Sequence, residues 1–122
     1  MITIMTAKES GYTDTVLAAL ADPTRRRIVE LVGESPRTAG ELHRAFPIAN
    51  PAVSRHLRVL REAGVIAERR VPGDGRVRLY VLEPAALEGL SAWIGELSRM
   101  WQQQLDSFKD YVAVRTGGRA AK

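Results

Sequence analysis

Apolar positions along this chain recur at helical spacing, switch to alternation, then return to helical spacing, and that order predicts its elements. Val16, Leu17 and Leu20 predict a short first helix over 12–21. Asp22 and Pro23 follow as an N-cap and a first-turn proline, whose missing N–H costs nothing there. They open a second helix to residue 32, with Ile28 and Leu31 inward and Gly33 as a left-handed stop. Thr38 and Glu41 stand at capping-box spacing and start a third helix over 38–46, with Leu42, Ala45 and Phe46 on its apolar stripe. Pro47, Ile48 and Ala49 make a tight connection. Asn50 and Pro51 repeat the cap-plus-proline signal, and a fourth helix runs to residue 63 before Gly64 ends it.

Past Gly64 the period drops to two. Residues 65–71 and 76–82 predict short strands joined by Pro72-Gly73-Asp74-Gly75, a hairpin-turn signal. In the second strand Val77, Leu79 and Val81 share one face, and Arg76, Arg78 and Tyr80 the other. Pro84 opens a long last helix to about residue 112, with Leu87, Leu90, Ile94, Leu97, Trp101, Leu105, Phe108 and Val112 spaced by threes and fours. The order predicts a mainly α fold with a small β-hairpin: a winged helix-turn-helix of about five helices and a two-stranded wing. A single domain is expected over 12–113, between a flexible N-terminal tail, 1–11, and a flexible basic C-terminal tail, 114–122.

The bulk numbers narrow the chemistry. With 122 residues, 45% hydrophobic and 26% charged, the chain suits one soluble domain. Net charge is +4, which suits a polyanionic partner. Cysteine is absent, excluding disulfides, thiolate metal sites and cysteine nucleophiles, and fitting a reducing cytoplasm. No apolar run nears the roughly 18 residues that span a bilayer, so no membrane partner is expected. The first residues lack the basic start and apolar core of a secretory signal, and the expected location is cytoplasmic.

What the fourth helix shows to solvent decides among functions. At helical pitch Val53, Leu57 and Leu60 face inward, while Ser54, Arg55, Arg58 and, at the margin, Arg61 face out, with no carboxylate before Glu62. Arginine forks onto guanine or grips phosphate, and serine donates to either, so this face suits the major groove of double-stranded DNA. The ribbon adds Arg69, Arg70, Arg76 and Arg78 against only Glu68 and Asp74. The last helix instead carries Glu88, Glu96, Asp106 and Asp110 against Arg99 and Lys109. A charge run alone is usually a solvated face; its coincidence with a helix-turn-helix pattern favours DNA.

The last helix, with Trp93, Leu97, Trp101, Leu105 and Phe108, carries more apolar surface than one small domain covers. A homodimer about a two-fold axis is therefore expected, with two recognition helices one DNA turn apart on a palindromic operator.

Residues 20–28, Leu-Ala-Asp-Pro-Thr-Arg-Arg-Arg-Ile, and 51–64, Pro-Ala-Val-Ser-Arg-His-Leu-Arg-Val-Leu-Arg-Glu-Ala-Gly, closely resemble the ArsR/SmtB family of bacterial winged-helix repressors. Arg78-Leu79-Tyr80 matches the usual end of that family's hairpin. The resemblance implies a dimer joined by its first and last helices, which adds Val16, Leu17 and Leu20 to the interface. It also implies promoter binding through Asn50, Pro51, Ser54, Arg55 and Arg58 and the wing arginines, and repression of the chain's own or adjacent genes. The metal-sensing chemistry of that family does not carry over. No cysteine is present, the last helix has no histidine, and His43 and His56 stand one to a helix. Asp106 and Asp110 without imidazole make a poor transition-metal site, so no metal and no cofactor is expected, and the residues point to no inducer. An enzyme is disfavoured, since no nucleophile–base set or phosphate-cradling loop appears. The alternative is a protein-interaction module whose arginines only solubilise it.

Overall fold

Local caps set the helix starts and ends. In the computed structural model, which describes residues 7–120 and side-chain burial for 11–116, α1 (Ala7–Ala19) leads to α2 (Pro23–Glu34) through Asp22. The Asp22 carboxylate accepts from the Arg25 amide at 3.0 Å, with Pro23 in the first helical turn. Two arginines of α2 reach back to the end of α1: Arg25 Nε donates to Ala19 O at 2.5 Å and Arg26 Nη1 to Leu20 O at 2.9 Å. They satisfy carbonyls that a helix C-terminus leaves without partners.

Gly33 is not a left-handed stop. The helix passes through it to Glu34, and extended Ser35 ends it with its N–H on Leu31 O. The glycine's value is space, since a Cβ there would stand 3.3 Å from the Leu82 side chain. Left-handed glycines do occur at Gly64 (φ 79°) and Gly73 (φ 85°), after α4 and in the hairpin turn.

Thr38 and Glu41 form the reciprocal capping box at 3.1 and 2.9 Å, starting α3 (Ala39–Arg44). Asn50 departs from expectation: α4 (Asn50–Glu62) has Ala49 as its N-cap, with no side-chain bond, so Asn50 is the first helical residue. The outer limits differ too. Residues 7–11 belong to α1, and α5 (Pro84–Ala120) continues past residue 112. The remainder of the expected tails, 1–6 and 121–122, lies outside the described residues.

The hairpin pairs β2 (Ile66–Val71) with β3 (Asp74–Leu82), placing Glu68 opposite Tyr80 and Arg70 opposite Arg78. A third strand, β1 (Arg37–Thr38), lies on the other side of β3, with Arg37 opposite Tyr80. Two residues carry no legible alternation, so only tertiary pairing creates this strand. Tyr80 shares its strand face with exposed Arg76 and Arg78 but is only 7% exposed.

The chain divides after Leu90 into two compact units. In the first, Val16, Ile28, Val32, Leu42, Val53, Leu57, Leu60, Val65 and Ile66 form the buried core, joined by Ala86 from the first turn of α5. Each buried valine, leucine or isoleucine there contributes about 1.5–3 kcal/mol relative to exposure. The second unit contains α5 from Ser91 onward. No described helix is long and apolar enough to cross a membrane.

Candidate nucleic-acid interface

The inward face of α4 is Val53, Leu57 and Leu60, all buried, which turns Ser54, Arg55, Arg58 and Arg61 outward into solvent. Asn50 and Pro51 are exposed at its first turn, which contains no acidic residue. Arg55 and Arg58 form no ion pair or hydrogen bond among the described residues, and neither does the Arg76 side chain of the wing. Ser54 is held from α3, where His43 Nε2 lies 3.2 Å from its Oγ. On the half-buried edge of the same helix, His56 Nδ1 lies 3.2 Å from Arg25 Nη1.

The other expected cations are engaged within the protein. Arg61 and Arg78 both pair with Glu68 of β2, Arg78 at 3.2 Å. The Tyr80 hydroxyl also donates to Glu68, at 3.1 Å. Burial pushes the Glu68 carboxyl upward, but the Tyr80 hydroxyl and the Arg61 and Arg78 charges outweigh it, holding the group below the usual glutamate value. Arg69 lies 3.6 Å from Glu83, and Arg70 Nη1 donates to Gly75 O at 2.6 Å across the turn. Sequence reasoning counted Glu68 only as an opposing charge. Its place opposite Tyr80 in the hairpin register was the available signal.

The residues expected at a dimer interface divide. Val16 is 1% exposed and consumed by the core, because α1 packs with the buried face on which it lies. Leu20 is half-buried against that core, while Leu17 is exposed. Beyond Leu90, Trp93, Leu97, Trp101, Leu105 and Phe108 all lie exposed on α5, Trp101 at 71% and Phe108 at 62%. Asp106 accepts from Gln102 at 3.0 Å, and no three His, Asp or Glu side chains come together among the described residues.

A short helix, a tight turn, an arginine-faced second helix and a basic hairpin define the class: a winged helix-turn-helix regulator. A helix-turn-helix domain family matches residues 20–69. The chain is 39% identical over 99 residues to the HTH-type transcriptional regulator Rv2034 of Mycobacterium tuberculosis, covering 81% of this chain and 87% of that one. It is 35% identical to the transcriptional repressor SdpR of Bacillus subtilis, over 65% of this chain and 84% of SdpR. A solved ArsR-like transcriptional regulator from Rhodococcus sp. RHA1 superposes with a TM-score of 0.70 at 25% identity, covering 86% of this chain and 96% of that one. The chain belongs to the ArsR family of DNA-binding transcriptional regulators, which are not enzymes.

Proposed function

We propose that the protein is a dimeric, sequence-specific repressor of its own or adjacent genes, acting in the cytoplasm on a palindromic operator. The observation that carries this reading is the outer face of α4, where Ser54, Arg55 and Arg58 stand exposed and both guanidinium groups lack a protein partner among the described residues. That face enters the major groove. The first turn, with Asn50 and Pro51 and no acid, presents the positive helix end to a phosphate. The wing lies along the flanking backbone with Arg76 foremost, and Arg69, Arg70, Arg61 and Arg78 add charge from within their pairs.

The apolar stripe of α5 supports the dimer. Trp93, Leu97, Trp101, Leu105 and Phe108 recur at helical spacing and are all exposed, more apolar surface than a solitary helix keeps in water. A second copy covers it, and Leu17 of α1, which is also exposed, is an interface residue in this reading. DNA binding and dimerisation thus reside in one chain.

Footprinting on the chain's own upstream region, with a salt series, tests the reading. Wild type is expected to protect a palindromic site with affinity that falls steeply with salt. Arg55→Ala/Arg58→Ala is expected to remain a folded dimer and lose the footprint. Equal affinity for operator and random duplex would leave an interaction module in place of a repressor.

A further inference from the structure

Glu68 sits within a surface otherwise built of arginines, and two of those arginines spend their charge on it. Arg61 reaches its carboxylate from the last turn of α4, Arg78 reaches it from β3 at 3.2 Å, and Tyr80 donates at 3.1 Å. A guanidinium does not deprotonate in proteins, so the cluster offers duplex DNA one net positive charge in place of two. The same carboxylate joins the recognition helix to both strands of the wing. Ion pairs this exposed contribute little to stability, so folding alone is a weak reason for the arrangement.

We propose that Glu68 is a specificity-determining residue, which ties the wing to the recognition helix and withholds Arg61 and Arg78 from indiscriminate phosphate contact. This rests on the reading of α4 and the wing as a duplex-binding surface. Phosphate contacts carry no sequence information, and affinity for arbitrary DNA grows with the number of phosphates neutralised. A shared carboxylate lowers that number. It also fixes where the wing stands against α4, which matters only on a site whose bases the helix reads.

Glu68→Gln keeps the shape and the acceptor for Tyr80 but removes the charge. Binding is measured over a salt series to a random-sequence duplex and to a duplex selected by the wild-type protein from a random pool, with circular dichroism recording the fold. For the random duplex, affinity is expected to rise by about tenfold near 0.1 M salt, and the salt slope to steepen by about one to two. Affinity for the selected duplex rises less, so the ratio between the two falls. Glu62→Gln removes an exposed acid of α4 that has no ion pair or hydrogen bond among the described residues, and it should do much less. In an Arg61→Gln/Arg78→Gln background, Glu68→Gln should act no more strongly than Glu62→Gln.

A second arm does not depend on the folding of Glu68→Gln. Removing the paired Arg61 and Arg78 should lower the random-duplex slope by less than removing the unpaired Arg55 and Arg58. Equal losses, a Glu68→Gln protein matching wild type or Glu62→Gln, or an effect that persists without Arg61 and Arg78 would each overturn the proposal. Wild-type protein with no salt-dependent duplex binding would overturn the DNA-binding reading as well.

Discussion

Arg25 of α2 donates through Nη1 to His56 Nδ1 of α4 at 3.2 Å, while its Nε holds Ala19 O at the end of α1 at 2.5 Å. A guanidinium only donates, so Nδ1 of His56 is the acceptor in this contact. One side chain thereby joins three helices behind the face proposed to meet DNA.

Replacing it should be costly for an arginine. Arg25→Ala strips the α1 carbonyl and the histidine of a charged donor and is expected to cost about 1–3 kcal/mol. Urea unfolding followed by circular dichroism should show a lower midpoint at unchanged slope. An unchanged midpoint would mean that the link is ornamental. Arg25→Lys should recover only part of the loss, because an ammonium lacks the planar fork that reaches both partners.

Acid should destabilise the fold through three named carboxylates. The Arg25 amide lowers Asp22, the Thr38 amide lowers Glu41, and the Tyr80 hydroxyl with Arg61 and Arg78 lowers Glu68 against its burial. Each is lower in the folded than in the unfolded chain. Their stabilisation is therefore complete above the ordinary carboxylate range and is lost as pH falls through the folded values. Urea midpoints should begin to drop below about pH 5, where carboxylates of the unfolded chain begin to protonate. Asp22→Asn with Glu41→Gln should flatten that dependence. A profile as steep as wild type would assign it elsewhere.

Tyr80 should act at the opposite end of the scale. Burial raises its phenol, and the adjacent Glu68 carboxylate raises it further. A group raised on folding stabilises fully below its unfolded value, about 10 for tyrosine, and ceases to do so as pH climbs through the folded value. Phenolate absorbance of the folded protein is expected to show one late-titrating tyrosine, which Tyr80→Phe removes. Persistence of that late component in Tyr80→Phe would refute the assignment.

The stripe on α5 gives a test of assembly. Trp101→Asp with Phe108→Asp places charge on two widely exposed apolar positions and should convert a dimer into a folded monomer by sedimentation. Operator affinity should fall with it, since each copy then holds only one half-site. A double variant that still sediments as a dimer would move the interface away from α5.

Several features were legible because their causes are local. The capping box of Thr38 and Glu41, the proline-led start of α2, the hairpin turn at Gly73 and the inward set Val53, Leu57 and Leu60 depend on residues a few positions apart. Asn50 misled because α4 starts one residue earlier, with Ala49 as an N-cap that makes no side-chain bond and Pro51 still in the first turn. Gly33 misled because its lack of a side chain is used for packing against Leu82 rather than for a turn.

By itself, then, the sequence determined the order of elements, their apolar faces and the gathering of arginines on α4 and the hairpin. Only the tertiary structure decided which of those arginines remain free. Arg61 meets Glu68 seven residues on, and Arg78 meets it from ten residues away, because hairpin register and the seat of α4 bring them together. Arg55, Arg58 and Arg76 find no such neighbour among the described residues. Val16 likewise passed from expected interface to core once α1 was packed. Periodicity and capping act within a turn or two of chain, whereas charge pairing and burial depend on distances that exist only after folding.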